Sequence, residues 1–211
     1  MRMKGLKQFR RSGLLLFTSF YDFFSGGSMP KLVAPILANF DSVILSKTRF
    51  FVVDERMVPL TDQESNTGSY MRLLQQITPS FPQYYPIDNT NECAKNYEIA
   101  LRDMKPTIKD GWPVFDLLLL GIGLDGHTCS LFPGHPILGV ILGWVAAIEN
   151  SPKPPPNRIT LTLPVLNHAR NVCFIVTGKE KTNILKVCSK YSFSYNTLFA
   201  IFFGLVRFID Y

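Results

Sequence analysis

Hydrophobic residues along this chain gather in short, nearly unbroken runs that end at glycine or at a charged cluster, and these runs alternate with stretches of helical spacing. Leu14 to Phe24, Thr48 to Val53, Val114 to Leu120 and Val172 to Thr177 show the first pattern, expected of strands buried on both faces of a parallel sheet. Val43 to Leu45 is a shorter segment of the same kind, and Arg158 to Leu163 alternates like a strand. Residues 29 to 40 have helical spacing, with Pro30 in the first turn where proline is tolerated. Residues 69 to 77 place Tyr70, Leu73, Leu74 and Ile77 on one helical face, with Ser65 as a plausible cap. Residues 93 to 104 suit a third helix whose inner side is Tyr97, Ala100 and Leu101. Prolines and polar residues make 78 to 92 and 105 to 113 loops, and Pro133 and Pro136 keep any helix after Gly121 short. Residues 137 to 148 are apolar enough to supply a strand or to leave a sticky patch. Strand, glycine turn and helix signals in repetition predict an α/β fold, an open and mostly parallel sheet with helices on both faces.

Composition narrows this picture. With 211 residues, 46% hydrophobic and 18% charged, the chain can bury one substantial core and reads as one globular domain. The net charge of +6 is local, because Arg2, Lys4, Lys7, Arg10 and Arg11 leave 17 bases against 16 acids in the remainder. A nearly neutral body argues against nucleic acid as a partner. Cys93, Cys129, Cys173 and Cys188 are widely spaced and read as reduced thiols of an intracellular, cytoplasmic protein. No apolar run approaches the roughly 18 residues of a membrane span, so no membrane partner is expected. The basic, acid-free opening also fits an organelle-targeting tail, against the plainer reading of a surface tail leading into the first strand.

Candidate chemistry gathers where the hydrophobic runs stop. Beyond Leu120, Gly121 and Gly123 allow a sharp turn that would carry Asp125, Gly126, His127 and Thr128 out at the sheet's carboxyl edge, where open α/β sheets bind ligands. An imidazole with an ordinary pKa near 6.5 can take a proton from water and return it to a leaving group. Asp125, two residues away, could orient it, or else Asp125 caps a helix while His127 merely packs. Ser25, Gly26, Gly27 and Ser28 form a glycine-rich turn opening a helix, a place where backbone N–H groups and the helix dipole favour a phosphate. Arg56 offers a planar fork to such an anion, or pairs with Glu64 on the surface. Lys153 and Arg158 could face an anionic substrate or simply be solvated. His127, His135 and Cys129 lack a zinc-ligand spacing, and no metal or other cofactor is expected.

GIGLDGHTCSLFPGHP at 121 to 136, SGGS at 25 to 28, DERMVP at 54 to 59, ESN at 64 to 66 and SPKPPPNRITLTLPVLN at 151 to 167 together closely resemble the 6-phosphogluconolactonase family. The resemblance implies a Rossmann-like domain over residues 25–186, flanked by atypical segments at 1–24 and 187–211 that lack the family's usual first strand and helix and its closing strand and helix. It implies hydrolysis of a small-molecule phosphosugar lactone, 6-phosphoglucono-1,5-lactone, in the oxidative pentose phosphate pathway, with no cofactor. His127 would then be the base and Asp125 its partner. Ser25, Gly26, Gly27, Ser28, Arg56, Arg158 and Lys181 would bind substrate or phosphate, Lys181 by its match to the family's G-x-x-K element. Glucosamine-6-phosphate deaminase carries related blocks, but Arg56 after Asp54-Glu55 and the continuation TCSLFPGHP favour the lactonase. The unusual ends leave a second expectation, a catalytically impaired phosphosugar-binding isoform. Nothing in the residues indicates oligomeric state.

Overall fold

The structure, a computed structural model, describes residues 20–37, 39, 48–77, 83–84, 92–184, 186 and 206–210. In chain order the elements are β1 (Phe20–Phe24), α1 (Met29–Leu37), β2 (Thr48–Val52), β3 (Asp54–Arg56), α2 (Asn66–Ile77), β4 (Gln83–Tyr84) and α3 (Cys93–Asp103). There follow β5 (Thr107–Lys109), β6 (Trp112–Val114), β7 (Leu117–Leu120), a 3-10 turn (Pro136–Gly139), β8 (Val145–Ile148) and β9 (Arg158–Leu161). The last are α4 (Leu163–His168), β10 (Val172–Val176), a second 3-10 turn (Lys179–Lys181) and β11 (Val206–Asp210).

Six strands make one sheet in the order β11-β10-β7-β1-β2-β4. Every neighbouring pair in it is parallel. The chain therefore winds outward from β1 through β2 to β4, then returns to β7 on the other side of β1 and winds away through β10 and β11. This is a doubly wound, Rossmann-like sheet whose strand order reverses between β1 and β7. A second sheet, antiparallel and three-stranded, runs β3-β9-β8, and β5 and β6 form a separate ribbon.

The alternation of side chains along the central strands explains why helices cover both faces. Leu118 and Leu120 of β7 and Phe174 and Val176 of β10 point into a core shared with Tyr97 and Leu101 of α3 and Leu163, Val165 and Leu166 of α4. Leu117, Leu119, Cys173 and Ile175 point the other way, against Met29, Val33, Ala34 and Leu37 of α1 and Tyr70 and Leu74 of α2. A strand buried on both faces needs no polar side, hence the unbroken leucines of β7, all four of them buried. Tyr97 adds a polar anchor: its hydroxyl donates to the Val52 carbonyl at 2.9 Å and accepts from the Val52 N–H at 3.2 Å.

Several elements depart from expectation for identifiable reasons. The run from Val114 to Leu120 is two strands, split where Asp116 turns aside to meet Arg170 at 3.2 Å. No helix follows Gly121 before the 3-10 turn at Pro136–Gly139; bends and turns carry the chain instead. The alternating stretch from Arg158 stops as a strand at Leu161, because Thr162 turns to bond the Gly143 carbonyl at 2.9 Å and Pro164 sits in the first turn of α4. Residues 83 and 84, inside a stretch read as loop, pair with β2 at the sheet edge. The segment after 186, read as lacking a closing strand, supplies β11, aligned Val172↔Val206 to Val176↔Asp210 beside β10. Residues 137 to 148 do both things expected of them, forming β8 while leaving Ile141 and Leu142 exposed. Ser65 caps α2, its hydroxyl accepting from the Gly68 N–H at 3.0 Å. Residues 14 to 19 and 43 to 45 lie outside the described residues.

Candidate active site

Because the six strands are parallel, their carboxyl ends share one edge, and the loops leaving β1, β2, β7 and β10 all start there. Those loops begin at Ser25, Val53, Gly121 and Thr177, so the segments singled out in the sequence converge by topology alone. The Ser25 N–H donates to Leu119 O at 2.9 Å, tying the SGGS turn to β7 at the reversal of strand order.

The turn after β7 folds His127 back over its own backbone. The Gly123 N–H donates to His127 O at 2.8 Å, and the Gly126 N–H donates to Gly123 O at 3.0 Å. A methyl at Gly123 would collide with the His127 ring and with Asp125, so this close approach requires glycine. Gly126 sits at φ +87° with Ile184 and Pro133 as its nearest neighbours, which brings the start of the segment after β10 against the turn. In that segment Lys181 stands three residues before Ile184 and is half-buried.

His127 and Asp125 make one unit. Asp125 Oδ1 lies 2.5 Å from His127 Nδ1. The other carboxylate oxygen, Oδ2, accepts from Lys153 Nζ at 3.0 Å, and the same ammonium lies 3.4 Å from His127 Nδ1. The imidazole stacks on Phe132 with centroids 4.6 Å apart, and its side chain keeps 18% of its surface open. Burial pulls the His127 pKa below its usual value, beyond what hydrogen bonding and charge from Asp125 restore, and the Lys153 charge pulls in the same direction as burial. For Asp125, burial acts upward but is outweighed by hydrogen bonds from His127 and Lys153, leaving a pKa of about 2. Near neutral pH the pair is therefore a carboxylate accepting from Nδ1–H and a neutral ring whose Nε2 can take a proton.

Behind this unit a buried polar group fixes the loops. Asp54 of β3 accepts from Ser130 Oγ at 2.8 Å, and the Asn66 amide donates to Asp54 O at 2.8 Å while lying against Gly26. Glu55, 2% exposed, accepts from the Asn66 and Thr67 N–H groups, each at 2.7 Å, and from Arg56 N–H at 2.8 Å. It thus occupies the start of α2 with an internal carboxylate.

The basic residues divide into different tasks. Arg56 pairs with Glu64 at 2.8 Å, yet its Nε is buried without a hydrogen-bond partner. The hydroxyl of Ser25 is likewise buried and unpartnered. Arg158 faces Arg56 across β3 and β9. It does not present a free fork as a phosphate ligand would: it is 2% exposed and donates to the carbonyls of Lys153, Pro154 and Pro155, each at 2.9 Å. Its Nη1 also reaches Ser130 Oγ at 3.4 Å, and its guanidinium stands 5.7 Å from the Phe132 ring centre. Arg158 thereby shapes the loop carrying Lys153, the cation beside the histidine. Lys153 and Arg158 lie in the same block, 151 to 167, and nothing in their spacing distinguishes them. Among the described residues no group of three or more His, Cys, Asp and Glu could hold a metal ion.

An aspartate-oriented imidazole thus sits at the strand-order reversal of a doubly wound sheet, on the loop next to a serine-glycine turn, where open α/β sheets bind ligands. Residues 19–194 match the family described as glucosamine-6-phosphate isomerases/6-phosphogluconolactonase, and the chain belongs to it. Over 178 residues it is 44% identical to the probable 6-phosphogluconolactonase of Schizosaccharomyces pombe, covering 77% of this chain and 68% of that protein. It is also 44% identical over 170 residues to the Homo sapiens 6-phosphogluconolactonase, covering 77% of this chain and 65% of that one. The chain thus spans about two thirds of the length of these curated relatives. The crystal structure of 6-phosphogluconolactonase from Thermotoga maritima superposes with a TM-score of 0.81 at 27% identity, covering 98% of this chain and 92% of that one.

Proposed function

We propose that the protein hydrolyses 6-phosphoglucono-1,5-lactone to 6-phosphogluconate, the lactone-opening step of the oxidative pentose phosphate pathway. The observation that carries this is the Asp125–His127 pair, 2.5 Å apart, on the loop beside the SGGS turn. With Nδ1–H committed to Asp125, His127 Nε2 accepts a proton from water as the water oxygen attacks C1 of the lactone. A tetrahedral intermediate forms and its oxyanion is held by nearby donors. When the bond from C1 to the ring oxygen breaks, the imidazolium returns the proton to that oxygen. Water has then been divided between the new carboxyl group and the new hydroxyl, and the base is regenerated.

The phosphate is remote from the reacting carbon and serves to position it. Ser25, Gly26, Gly27 and Ser28, Arg56 with its unpartnered Nε, and Lys181 after β10 are the groups proposed to hold it. Arg158 acts from behind, through the loop it clamps. The three described cysteines are buried thiols not joined to one another, in keeping with a cytoplasmic setting. No described helix is long and apolar enough to cross a membrane.

Incubating purified protein with the lactone, beside a no-enzyme control for spontaneous opening, tests the proposal. Acceleration of 6-phosphogluconate release is expected, and His127→Ala should abolish at least about 10²-fold of it while leaving 6-phosphogluconate binding intact. Deamination of glucosamine 6-phosphate without lactone hydrolysis would overturn the assignment, and so would tight phosphosugar binding with no acceleration.

A further inference from the structure

The base pair just described has a third charged member that the hydrolytic reading leaves without a task. Lys153 Nζ donates to Asp125 Oδ2 at 3.0 Å and stands 3.4 Å from His127 Nδ1. Its side chain is 44% exposed, so packing does not force it there. What holds it is the loop: Arg158, itself buried, takes the carbonyls of Lys153, Pro154 and Pro155 in one guanidinium. A buried arginine spent on three successive carbonyls is an expensive way to place a surface lysine unless the position of that lysine matters.

We infer that Lys153 is a positioning residue of the base, holding the second oxygen of Asp125 and opposing charge on His127, so that the proton taken from water is passed on rather than stored. The inference rests on the hydrolytic reading of the same site. With Asp125 and His127 alone, a loaded base would be a neutral ion pair, carboxylate against imidazolium. With Lys153 the loaded cluster carries a net single positive charge at the moment an oxyanion develops on C1, and it favours that oxyanion. The same repulsion makes the imidazolium a better acid toward the departing ring oxygen.

The charged groups facing His127 are few. Asp125 comes from its own loop, Lys153 from the loop before β9, and Asp54 acts from β3. Asp54 is already hydrogen-bonded to Ser130, and Arg158 lies beyond the Phe132 ring. Of these, burial apart, only the Lys153 charge lowers the histidine's affinity for a proton.

The chain has three histidines, so the His127 imidazole can be followed by NMR in Lys153→Gln and Lys153→Arg variants, assigned with His127→Ala. The His127 midpoint should rise by roughly half a pH unit in Lys153→Gln and return in Lys153→Arg, an effect kept small by the exposure of the lysine. In parallel, Lys153→Gln should lower kcat about tenfold with KM within about twofold, and the acid limb of kcat/KM should move to higher pH. An unmoved midpoint in Lys153→Gln, or failure of arginine to restore it, overturns the inference. A raised KM at unchanged kcat also overturns it and makes Lys153 a substrate anchor. Because the NMR titration needs no turnover, absence of lactone hydrolysis by the wild type would defeat the proposed function, while the midpoint shift would still decide whether Lys153 opposes charge on His127.

Discussion

Two glycines of the turn after β7 should respond very unequally to the same small change. Alanine at Gly121 would bring its methyl no closer than 3.8 Å to a neighbour, Met29 Cγ, which is ordinary contact. Alanine at Gly123 would set its methyl 2.5 Å from Asp125 Oδ1, with the His127 Cε1 and Nδ1 atoms nearer still. Ordinary contact begins at 3.4 Å, so Asp125 must withdraw by about 0.9 Å and the imidazole further. The required shifts are unequal, so they disturb the bond between the two side chains and the contact of Asp125 with Lys153. A displacement of about 1 Å in a catalytic group costs on the order of 10²-fold in rate. Gly123→Ala should therefore lower kcat for lactone opening roughly 10²-fold, and Gly121→Ala should stay within about threefold of wild type. Gly123 is only half-buried and has no left-handed backbone angle, so the midpoint of denaturant unfolding should move little in either variant. Wild-type turnover in Gly123→Ala would refute the reasoning, as would equal damage from Gly121→Ala.

Two further outcomes follow from the charges. Hydrolysis needs neutral His127; since burial lowers its pKa, the acid limb of kcat/KM should fall below the ordinary imidazole value of about 6.5 and follow a single ionisation, because Asp125 stays charged down to about 2. An inflection at or above 6.5, absent in the residual activity of His127→Ala and hence not due to the substrate phosphate, would contradict this. Glu55→Gln places an amide N–H₂ among three backbone donors and should cost about 1–3 kcal/mol in denaturant unfolding, against no measurable change if the carboxylate is dispensable.

Much of the architecture was legible along the chain because it rests on local rules. A strand covered on both faces must be apolar at every position, as Leu117 to Leu120 are, and a helix on one face must repeat its apolar residues, as Val33, Leu37, Tyr70 and Leu74 do. Glycines ending those strands and the Asp125, His127 spacing likewise need only neighbours in sequence. Boundaries were less legible where a distant partner decides them. The run from Val114 breaks at Asp116, where the distant Arg170 meets its carboxylate and Asn171 its carbonyl, and residues 206–210 form a strand beside β10.

The division of labour among the basic residues could not be read from the chain at all. Arg56 and Arg158 look alike as fork-bearing cations, yet one pairs with Glu64 and keeps a buried Nε without a partner while the other bonds three carbonyls. Lys153 is 26 residues from His127 in the chain and 3.4 Å from it in space. Sequence alone determined which residue types stand where strands end, since that depends on the strand's own burial. Tertiary structure alone decided which cation meets which carboxylate, since electrostatic and hydrogen-bond strength depends on distances of a few ångströms set by the packing of whole elements.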